Sequence, residues 1–256
     1  MCSSDLARYY SDPEHATIPF EKLSSKAYAA QRRKLIDMDK AMPEVTAGDP
    51  VLEHNDTTYL TVADKDGMMV SLIQSNYAGM GSGLVPDGLG FMLQDRGELF
   101  SMDPDHPNVY GPGKLPFHTI IPGFILKDGQ PWFSFGVMGG AMQPQGHVLV
   151  ATNLIDFGMN VQEAGDAARY RHQGSSQPTD NSGQVGGLGT VKLETGISQE
   201  VFNELARRGH QVDWGVNSKT GRRLHFGSYQ GIMRDPETGV YHAASESRID
   251  GAAVGY

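Results

Sequence analysis

The chain has 256 residues, of which 39% are hydrophobic and 20% are charged, as is typical of a globular protein of one or two domains. Its net charge of −9 argues against nucleic acid as the main partner, because phosphate binding needs clustered Lys and Arg. The single cysteine, Cys2, excludes an intrachain disulfide and a four-cysteine zinc site. The histidines are scattered without zinc-ligand spacing, so the sequence predicts no metal and no cofactor.

The start of the chain does not decide the compartment. No apolar run approaches the ~18 residues that span a bilayer, and no signal peptide is visible. Cytoplasmic and periplasmic or secreted locations therefore both stay open. Residues 1–6 read like translated sequencing adapter, which predicts that they are not native and that the chain is a fragment; an ordinary short tail is the alternative.

The segment before residue 57 predicts a helix followed by a linker. Ser24 or Ser25 can cap a helix over residues 26–36, because a serine oxygen accepts a hydrogen bond from the first helical N–H groups. Residues 42–55 carry Pro, Gly, Asp and Glu with few apolar side chains, which predicts an exposed linker.

From residue 57 the pattern predicts β-hairpins and helices. Residues 57–63 and 69–75 alternate as two strands around a turn that ends at Gly67. Further along the chain we predict hairpins over residues 119–137 and 228–244, helices over residues 148–157, 161–169 and 199–208, and a long loop over residues 173–189. Hairpins and helices in separate blocks indicate a layered α+β fold.

The sequence Asp56-Thr57 is the most informative chemical feature. A cut before Thr57 would give it a free α-amine, with an ordinary pKa of roughly 8, beside its own hydroxyl. One residue would then supply both nucleophile and base. Taken alone the signal is weak, because threonine is also common at strand starts.

Four stretches together resemble the γ-glutamyltransferase family of N-terminal nucleophile hydrolases. They are residues 57–67, 81–83, 136–140 and 226–256, and the helix pair over residues 156–169 matches as well. The resemblance implies an αββα sandwich in which residues 57–256 form the small, catalytic subunit. Residues 1–56 would then be the tail of the large subunit with a cleavable linker, and the rest of the large subunit would be a partner from the same precursor.

The resemblance also implies catalytic residues. Precursors of this family cut themselves before the nucleophilic threonine, which implies cleavage between Asp56 and Thr57, with Thr57 as nucleophile. Ser75 stands where the family has a threonine that bonds the nucleophile's amine; an ordinary strand-end serine is the alternative. Gly139 and Gly140 stand where the family forms its oxyanion hole, although a plain tight turn would use the same residues.

The expected substrate pocket departs from the family pattern. The family binds the substrate's α-ammonium with an acidic residue, whereas this chain has Leu99 there, with Glu98 one position away. The paired serines that bind the α-carboxylate are replaced by His118 and Thr119. The asparagine near the nucleophile is displaced by one position, to Asn76.

Arg96 could hold the carboxylate of an acyl group that lacks the α-amine, such as a glutaryl group, or it could be a solvated loop arginine. The resemblance thus implies a self-processing enzyme that cleaves γ-glutamyl amides through a threonine acyl-enzyme and passes the acyl group to water or an amine. Two alternatives stay open: an acylase for glutaryl-type side-chain amides, and a catalytically silent member of the family.

Overall fold

The structure is a computed structural model that describes residues 9–42, 56–173, 189–216 and 225–255. The chain divides into two compact units. Unit 1 comprises Met1–Glu53, Asp95–His118 and Tyr170–Gly215, and unit 2 comprises His54–Gln94, Thr119–Arg169 and Val216–Tyr256. The predicted subunit boundary before Thr57 is a matter of chain cleavage and stays a prediction.

Helices and strands are numbered in chain order. The helices are α1 (Phe20–Leu23), α2 (Lys26–Arg33), α3 (Met142–Ile155), α4 (Val161–Asp166) and α5 (Gln199–Arg207), with a 3-10 turn at Arg96–Leu99. The strands are β1 (Asp56–Ala63), β2 (Met69–Tyr77), β3 (Gly123–Lys127), β4 (Gln130–Met138), β5 (Tyr170–Gln173), β6 (Thr190–Leu193), β7 (Val212–Trp214), β8 (Ser228–Arg234) and β9 (Tyr241–Ser245).

Unit 2 is built in layers. Strands β1 and β2 form one antiparallel sheet, and β3, β4, β8 and β9 form a second, in the order β3-β4-β8-β9. The first sheet packs against β4 and β8, while α3 and α4 pack against strands of the four-stranded sheet. The apolar core lies on this helix side of the four-stranded sheet and includes Phe133, Phe135, Val137, Val150, Leu154 and Val161. The predicted layered α+β fold is confirmed.

Unit 1 contains a three-stranded sheet in the order β5-β6-β7 that the sequence patterns did not reveal. Its strands are only three or four residues long, too short to show a clear alternation. Helix α5 packs against β7, where the Phe202 and Trp214 rings stack with centroids 5.0 Å apart. The predicted linker and long loop fall mainly on residues 43–55 and 174–188, outside the described residues.

The predicted hairpins are present, with one boundary displaced. We expected the second hairpin to start at residue 119, but β3 starts at Gly123. Pro122 has no N–H to donate to a sheet, and the Ile121 N–H donates to the Gln143 side chain at 2.9 Å. Residues 119–122 are therefore held by a side chain from α3.

The sequence predicted the capping residues of the helices better than it predicted the helix lengths. Ser25 caps α2 by accepting the Tyr28 N–H at 3.1 Å, and Asn160 forms a capping box with Glu163 at α4. Both helices end three residues earlier than predicted, and α3 begins six residues earlier. Helix α4 ends early because Ala167 is already extended, with φ −53° and ψ 139°.

A buried ion pair joins the C-terminal segment to the rest of unit 2. Arg169 Nη2 donates to Glu246 Oε2 at 2.5 Å, and the two side chains are 1% and 0% exposed. Arg169 Nη1 also donates to the carbonyls of Phe226, at 3.0 Å, and Gly227, at 3.1 Å. The Arg169 guanidinium thus holds the loop that leads into β8. The Glu246 carboxylate balances the charge of this guanidinium.

We expect Glu246→Ala to destabilise the protein by about 3–5 kcal/mol, because removing one partner leaves the other charge buried and uncompensated. The matched control is Glu237→Ala, which removes the same charge from an exposed turn and should change stability by about 0.5 kcal/mol or less. Thermal unfolding of the full-length gene product measures both variants. Equal effects of the two substitutions would show that the pair contributes nothing specific.

Candidate active site

The predicted scissile peptide bond lies at a distortion in the first hairpin. Asp56 pairs with Tyr77 but Thr57 pairs with Ser75, so the register shifts between the two residues and Asn76 is the extra residue. Such a bulge bends the strand and interrupts its ladder. Tyr77 also has φ +81°, a conformation that costs energy for a bulky side chain. The pairing of the two strands is therefore irregular opposite the Asp56–Thr57 bond.

The two predicted catalytic hydroxyls are in direct contact. Thr57 Oγ1 donates to Ser75 Oγ at 2.9 Å, and the same serine oxygen accepts the Tyr77 N–H at 2.9 Å. In the uncut chain the Thr57 nitrogen belongs to a peptide bond, so this contact goes through the hydroxyl. Ser75 thus fixes the direction of the hydroxyl that we expect to act as nucleophile.

Two residues along β1, the Tyr59 ring fixes the strand on the four-stranded sheet. A Cβ atom built on Gly136 would lie 2.4 Å from Tyr59 Cδ2, so only glycine leaves room for the ring. The phenol bonds Ser71 Oγ at 2.7 Å and approaches Ser134 Oγ at 3.4 Å. Burial raises the pKa of Tyr59, so the phenol is neutral at physiological pH. Strand β4 is thereby held in register against the strand that carries Thr57.

Gly139 and Gly140 connect β4 to α3. Both are buried and have positive φ, +128° and +57°, which favours glycine. Their carbonyls accept hydrogen bonds of 3.0 Å from the N–H groups of Met142 and Gln143, in the first turn of α3. The pair stands at the N-terminus of a 14-residue helix, where partial positive charge accumulates. This position suits stabilisation of an oxyanion.

The loop that Arg169 holds supports this glycine pair from behind. A Cβ atom on Gly139 would lie 3.1 Å from Gly227 Cα, and one on Gly227 would lie 2.6 Å from Val137 Cγ1. The two loops therefore touch backbone to backbone. The ion pair between Arg169 and Glu246 stabilises the wall against which Gly139 rests.

The predicted substrate-binding residues fall in both units. Asn76 and Thr119 belong to unit 2, where Asn76 is half-buried and Thr119 is 5% exposed. Arg96, Glu98 and His118 belong to unit 1.

In unit 1 the structure brings Arg96 and His118 together. Arg96 is buried, and desolvation together with its guanidinium lowers the pKa of His118, so the imidazole is neutral at pH 7. Glu98 is exposed, and desolvation and the nearby Asp95 raise its pKa.

Leu99 occupies a core position. The segment is a 3-10 turn, where residues three apart share a face, and Leu99 and Arg96 are its two buried members. The Leu99 carbonyl accepts a hydrogen bond from Asn108 Nδ2 at 2.6 Å. An apolar core side chain therefore stands where the family resemblance implies a carboxylate, and the exposed Glu98 points away from that position.

Sequence reasoning missed four residues of this architecture: Tyr59, Gly136, Gln143 and Glu246. Each acts through a contact that spans more than 20 positions along the chain, as between Ile121 and Gln143. Gly136 lies within a matched stretch, but only its packing partner explains the need for glycine. No local pattern marks Gln143 or Glu246.

The described residues contain no cluster of three or more His, Cys, Asp and Glu that could hold a metal ion. Within those same ranges, no helix is long and apolar enough to cross a membrane.

Comparison with known proteins gives consistent matches. The Gamma-glutamyltranspeptidase family model matches residues 2–256. The glutathione hydrolase proenzyme of Escherichia coli (strain K12) is 30% identical over 266 residues, covering 99% of this chain and 42% of that protein. The glutathione hydrolase-like YwrD proenzyme of Bacillus subtilis (strain 168) is 33% identical over 250 residues, covering 95% of this chain and 43% of that protein.

Among solved structures, the cephalosporin acylase from Bacillus halodurans matches with a TM-score of 0.79 at 40% identity, covering 99% of this chain and 43% of that one. This chain thus spans less than half the length of these relatives. The match nevertheless extends over nearly all of its own residues, and the layered fold agrees with it. The chain belongs to the γ-glutamyltranspeptidase family and has the N-terminal nucleophile hydrolase fold.

Proposed function

We infer that this chain carries the catalytic part of a self-processing amidohydrolase that cleaves γ-glutamyl or related acyl amides. The observation that carries the proposal is the hydrogen bond from Thr57 Oγ1 to Ser75 Oγ, beside the register shift between Asp56 and Thr57. The names of the relatives support it, since they include glutathione hydrolase proenzymes and a cephalosporin acylase.

Self-cleavage would begin at the bond between Asp56 and Thr57. The Thr57 hydroxyl oxygen attacks the Asp56 carbonyl carbon, the C–N bond breaks, and the Thr57 nitrogen takes up a proton as an ester forms. Water then hydrolyses the ester, which releases the Asp56 carboxylate and restores the hydroxyl. The irregular pairing opposite these two residues interrupts the ladder, which favours this step because the bond is not held in a regular sheet.

The mature enzyme would repeat the same chemistry on a substrate. The freed α-amine of Thr57 takes the hydroxyl proton while the oxygen attacks the substrate's amide carbon. Backbone N–H groups at Gly139 and Gly140 would stabilise the tetrahedral oxyanion. The leaving amine takes the proton, and water or a second amine resolves the acyl-enzyme.

A partner chain from the same precursor would complete the fold. On the outer face of the first sheet, Leu60 pairs with Leu72 and Val62 with Val70, and these four side chains are 44–48% exposed. Paired apolar side chains on an open sheet face are typical of a surface that another element covers. A large subunit is the expected occupant, because the relatives are more than twice as long as this chain.

The identity of the acyl group is the more detailed part of the proposal. A γ-glutamyl group carries an α-ammonium, which needs a carboxylate partner, and the expected position holds the buried Leu99. A glutaryl group lacks that ammonium and keeps a distal carboxylate, which Arg96 could bind. We therefore favour glutaryl-type acyl amides over γ-glutamyl amides as the better substrates.

The alternative from another functional class is a binding protein that keeps the fold and has no catalytic activity. Such a protein would need neither the hydroxyl pair nor the glycine pair, and it would stay a single chain. The contact between Thr57 and Ser75 favours the enzyme.

We expect Thr57→Ala to abolish both processing and activity of the full-length gene product, since it removes the nucleophile of both reactions. The wild-type small product should begin Thr-Thr-Tyr on N-terminal sequencing. Thr58→Ala is the matched control: its side chain is exposed, and processing should persist. A different N-terminus, or cleavage of the Thr57→Ala protein, would overturn the assignment.

We expect Gly140→Val to lower kcat by about 100- to 1000-fold with little change in KM, as for the loss of one oxyanion donor. Gly158→Val controls for backbone strain, because Gly158 also has positive φ, +66°, but follows the other end of α3. It should lower stability without lowering kcat. A change mainly in KM for Gly140→Val would mean that the glycine shapes the binding pocket.

We expect wild-type enzyme to hydrolyse glutaryl p-nitroanilide with a kcat/KM at least about tenfold above that for γ-glutamyl p-nitroanilide, a difference of about 1.4 kcal/mol. The reason is the missing carboxylate partner for the α-ammonium. Glu98→Gln should leave the ratio unchanged, because the exposed Glu98 does not occupy the Leu99 position. A preference for the γ-glutamyl compound that disappears in Glu98→Gln would identify Glu98 as the ammonium ligand.

A further inference from the structure

Tyr77 lies opposite the predicted cleavage site in the first hairpin. It pairs with Asp56, the residue on the carbonyl side of that bond, across the antiparallel strands β1 and β2. Its N–H donates to Ser75 Oγ at 2.9 Å, and the same oxygen accepts the Thr57 hydroxyl at 2.9 Å. Tyr77 is therefore connected to both sides of the bond, to Asp56 by strand pairing and to the attacking hydroxyl through Ser75.

The backbone of Tyr77 has a conformation that tyrosine rarely adopts. Its φ of +81° lies in the left-handed region, which costs energy for a bulky side chain, whereas glycine adopts it freely. Among the described residues, Asp128 is the other non-glycine residue with positive φ, at +53°. Asp128 lies in the exposed turn between β3 and β4, and aspartate tolerates this region. Tyr77 is instead buried, with 5% of its surface exposed.

This conformation decides where the Tyr77 N–H points. A serine hydroxyl oxygen has two lone pairs, and on Ser75 one accepts the Tyr77 N–H while the other accepts the Thr57 hydroxyl. The N–H thus sets the direction from which Ser75 accepts the Thr57 proton. With that proton directed to Ser75, the lone pairs of the Thr57 oxygen point elsewhere and are available for attack on a carbonyl carbon.

We propose that Tyr77 is a positioning residue for self-processing. Its buried ring holds the left-handed backbone that directs its N–H to Ser75 Oγ, and Ser75 in turn orients the Thr57 hydroxyl. This inference rests on the proposed function and adds to it the residue that aligns the nucleophile in the uncut chain. Glycine at this position would permit the same φ but many others as well, so the N–H would lose its direction.

The test follows self-processing of the full-length gene product over time by gel electrophoresis. Tyr77→Gly keeps the N–H and tolerates the left-handed backbone, but it removes the ring that selects this conformation. It should slow processing by about tenfold to a hundredfold, because a small displacement of a reacting group has effects of this size. Tyr77→Phe keeps the ring and should retain processing. Processing of Tyr77→Phe that is as slow as that of Tyr77→Gly would assign the role to the phenol hydroxyl and overturn the inference.

A double-mutant cycle tests whether Tyr77 acts through Ser75. In the Ser75→Ala background, Tyr77→Gly should cause no further slowing, because the acceptor of its N–H is already absent. Independent slowing by the two substitutions would overturn the inference. Tyr77→Met guards against a glycine variant that fails to fold, since a flexible apolar side chain fills part of the space without the rigidity of the ring, and it should also slow processing.

Two control variants separate positioning from backbone conformation and from stability. Asp128→Gly makes the same kind of change, to glycine at positive φ, and should leave the processing rate unchanged. Leu154→Ala removes a buried side chain from the apolar core of unit 2 and should lower the thermal midpoint without slowing processing. Slowing in either control equal to that of Tyr77→Gly would show a general structural effect and refute the role of Tyr77.

Hydroxylamine identifies the step that Tyr77 affects. Attack of the Thr57 oxygen on the Asp56 carbonyl carbon breaks the peptide C–N bond and gives an ester with a free amine on Thr57. Hydroxylamine cleaves this ester, which leaves a hydroxamate on Asp56 and restores the Thr57 hydroxyl. Because Tyr77 aligns the attack, hydroxylamine should not restore the processing rate of Tyr77→Gly. Restoration would place the defect in ester hydrolysis and overturn the inference.

The outcomes separate this inference from the proposed function. A wild-type full-length protein that is never cut before Thr57 would refute the proposed function. A wild type that is cut, together with a folded Tyr77→Gly variant that is cut at the same rate, would refute the role of Tyr77 alone. Thermal midpoints are compared in the Thr57→Ala background, in which we expect every variant to stay uncut.

Discussion

The contact between the Tyr59 ring and Gly136 sets the relative position of the proposed catalytic groups in unit 2. Alternate residues of a strand share a face, so Thr57 and Tyr59 both point from β1 toward the four-stranded sheet. Gly136 lies three residues before Gly139 on β4. A Cβ at Gly136 would overlap the ring at 2.4 Å, so any other residue would force the two strands apart. The proposed nucleophile and the glycine pair are thereby positioned by one close approach.

Hydroxyl groups, more than apolar side chains, join the two sheets around this contact. Thr61 bonds Ser134 at 2.7 Å, Tyr59 approaches the same Ser134 hydroxyl at 3.4 Å, and Ser71 donates to the Gly123 carbonyl at 2.9 Å. On the opposite side of β4, the Phe133 and Phe135 rings stack with centroids 4.6 Å apart in the apolar core. Apolar packing tolerates small displacements of one sheet along the other, whereas hydrogen bonds are directional. The hydrogen bonds between the two sheets thus fix the register of their strands. The residues on the helix side of β4 supply the buried apolar surface.

The sequence predicted those features that depend on neighbours along the chain. Alternation and turn residues were sufficient for the first hairpin, and single capping residues such as Ser25 and Asn160 located helix starts. The start of β3 depended on a long-range contact, in which the Ile121 N–H bonds Gln143. The candidate nucleophile was visible because its chemistry and its strand position are local. The ion pair of Arg169 with Glu246 was not visible in the sequence, because these residues are 77 positions apart.

This difference between local and long-range features bears on how specificity changes within such a fold. Thr57 contacts Ser75 across a single hairpin, so the reactive groups can persist while distant segments vary. The segment near Thr119, which we predict to bind the acyl group, is instead held by the Gln143 side chain, and the predicted ammonium position holds the core residue Leu99. We therefore expect substitutions at either position to change substrate preference without moving the hydroxyl pair. The backbone N–H of Gln143 also bonds the Gly140 carbonyl in the first turn of α3, so we expect that a substitution at Gln143 must preserve the hydrogen bond to Ile121 if the glycine pair is to stay in place.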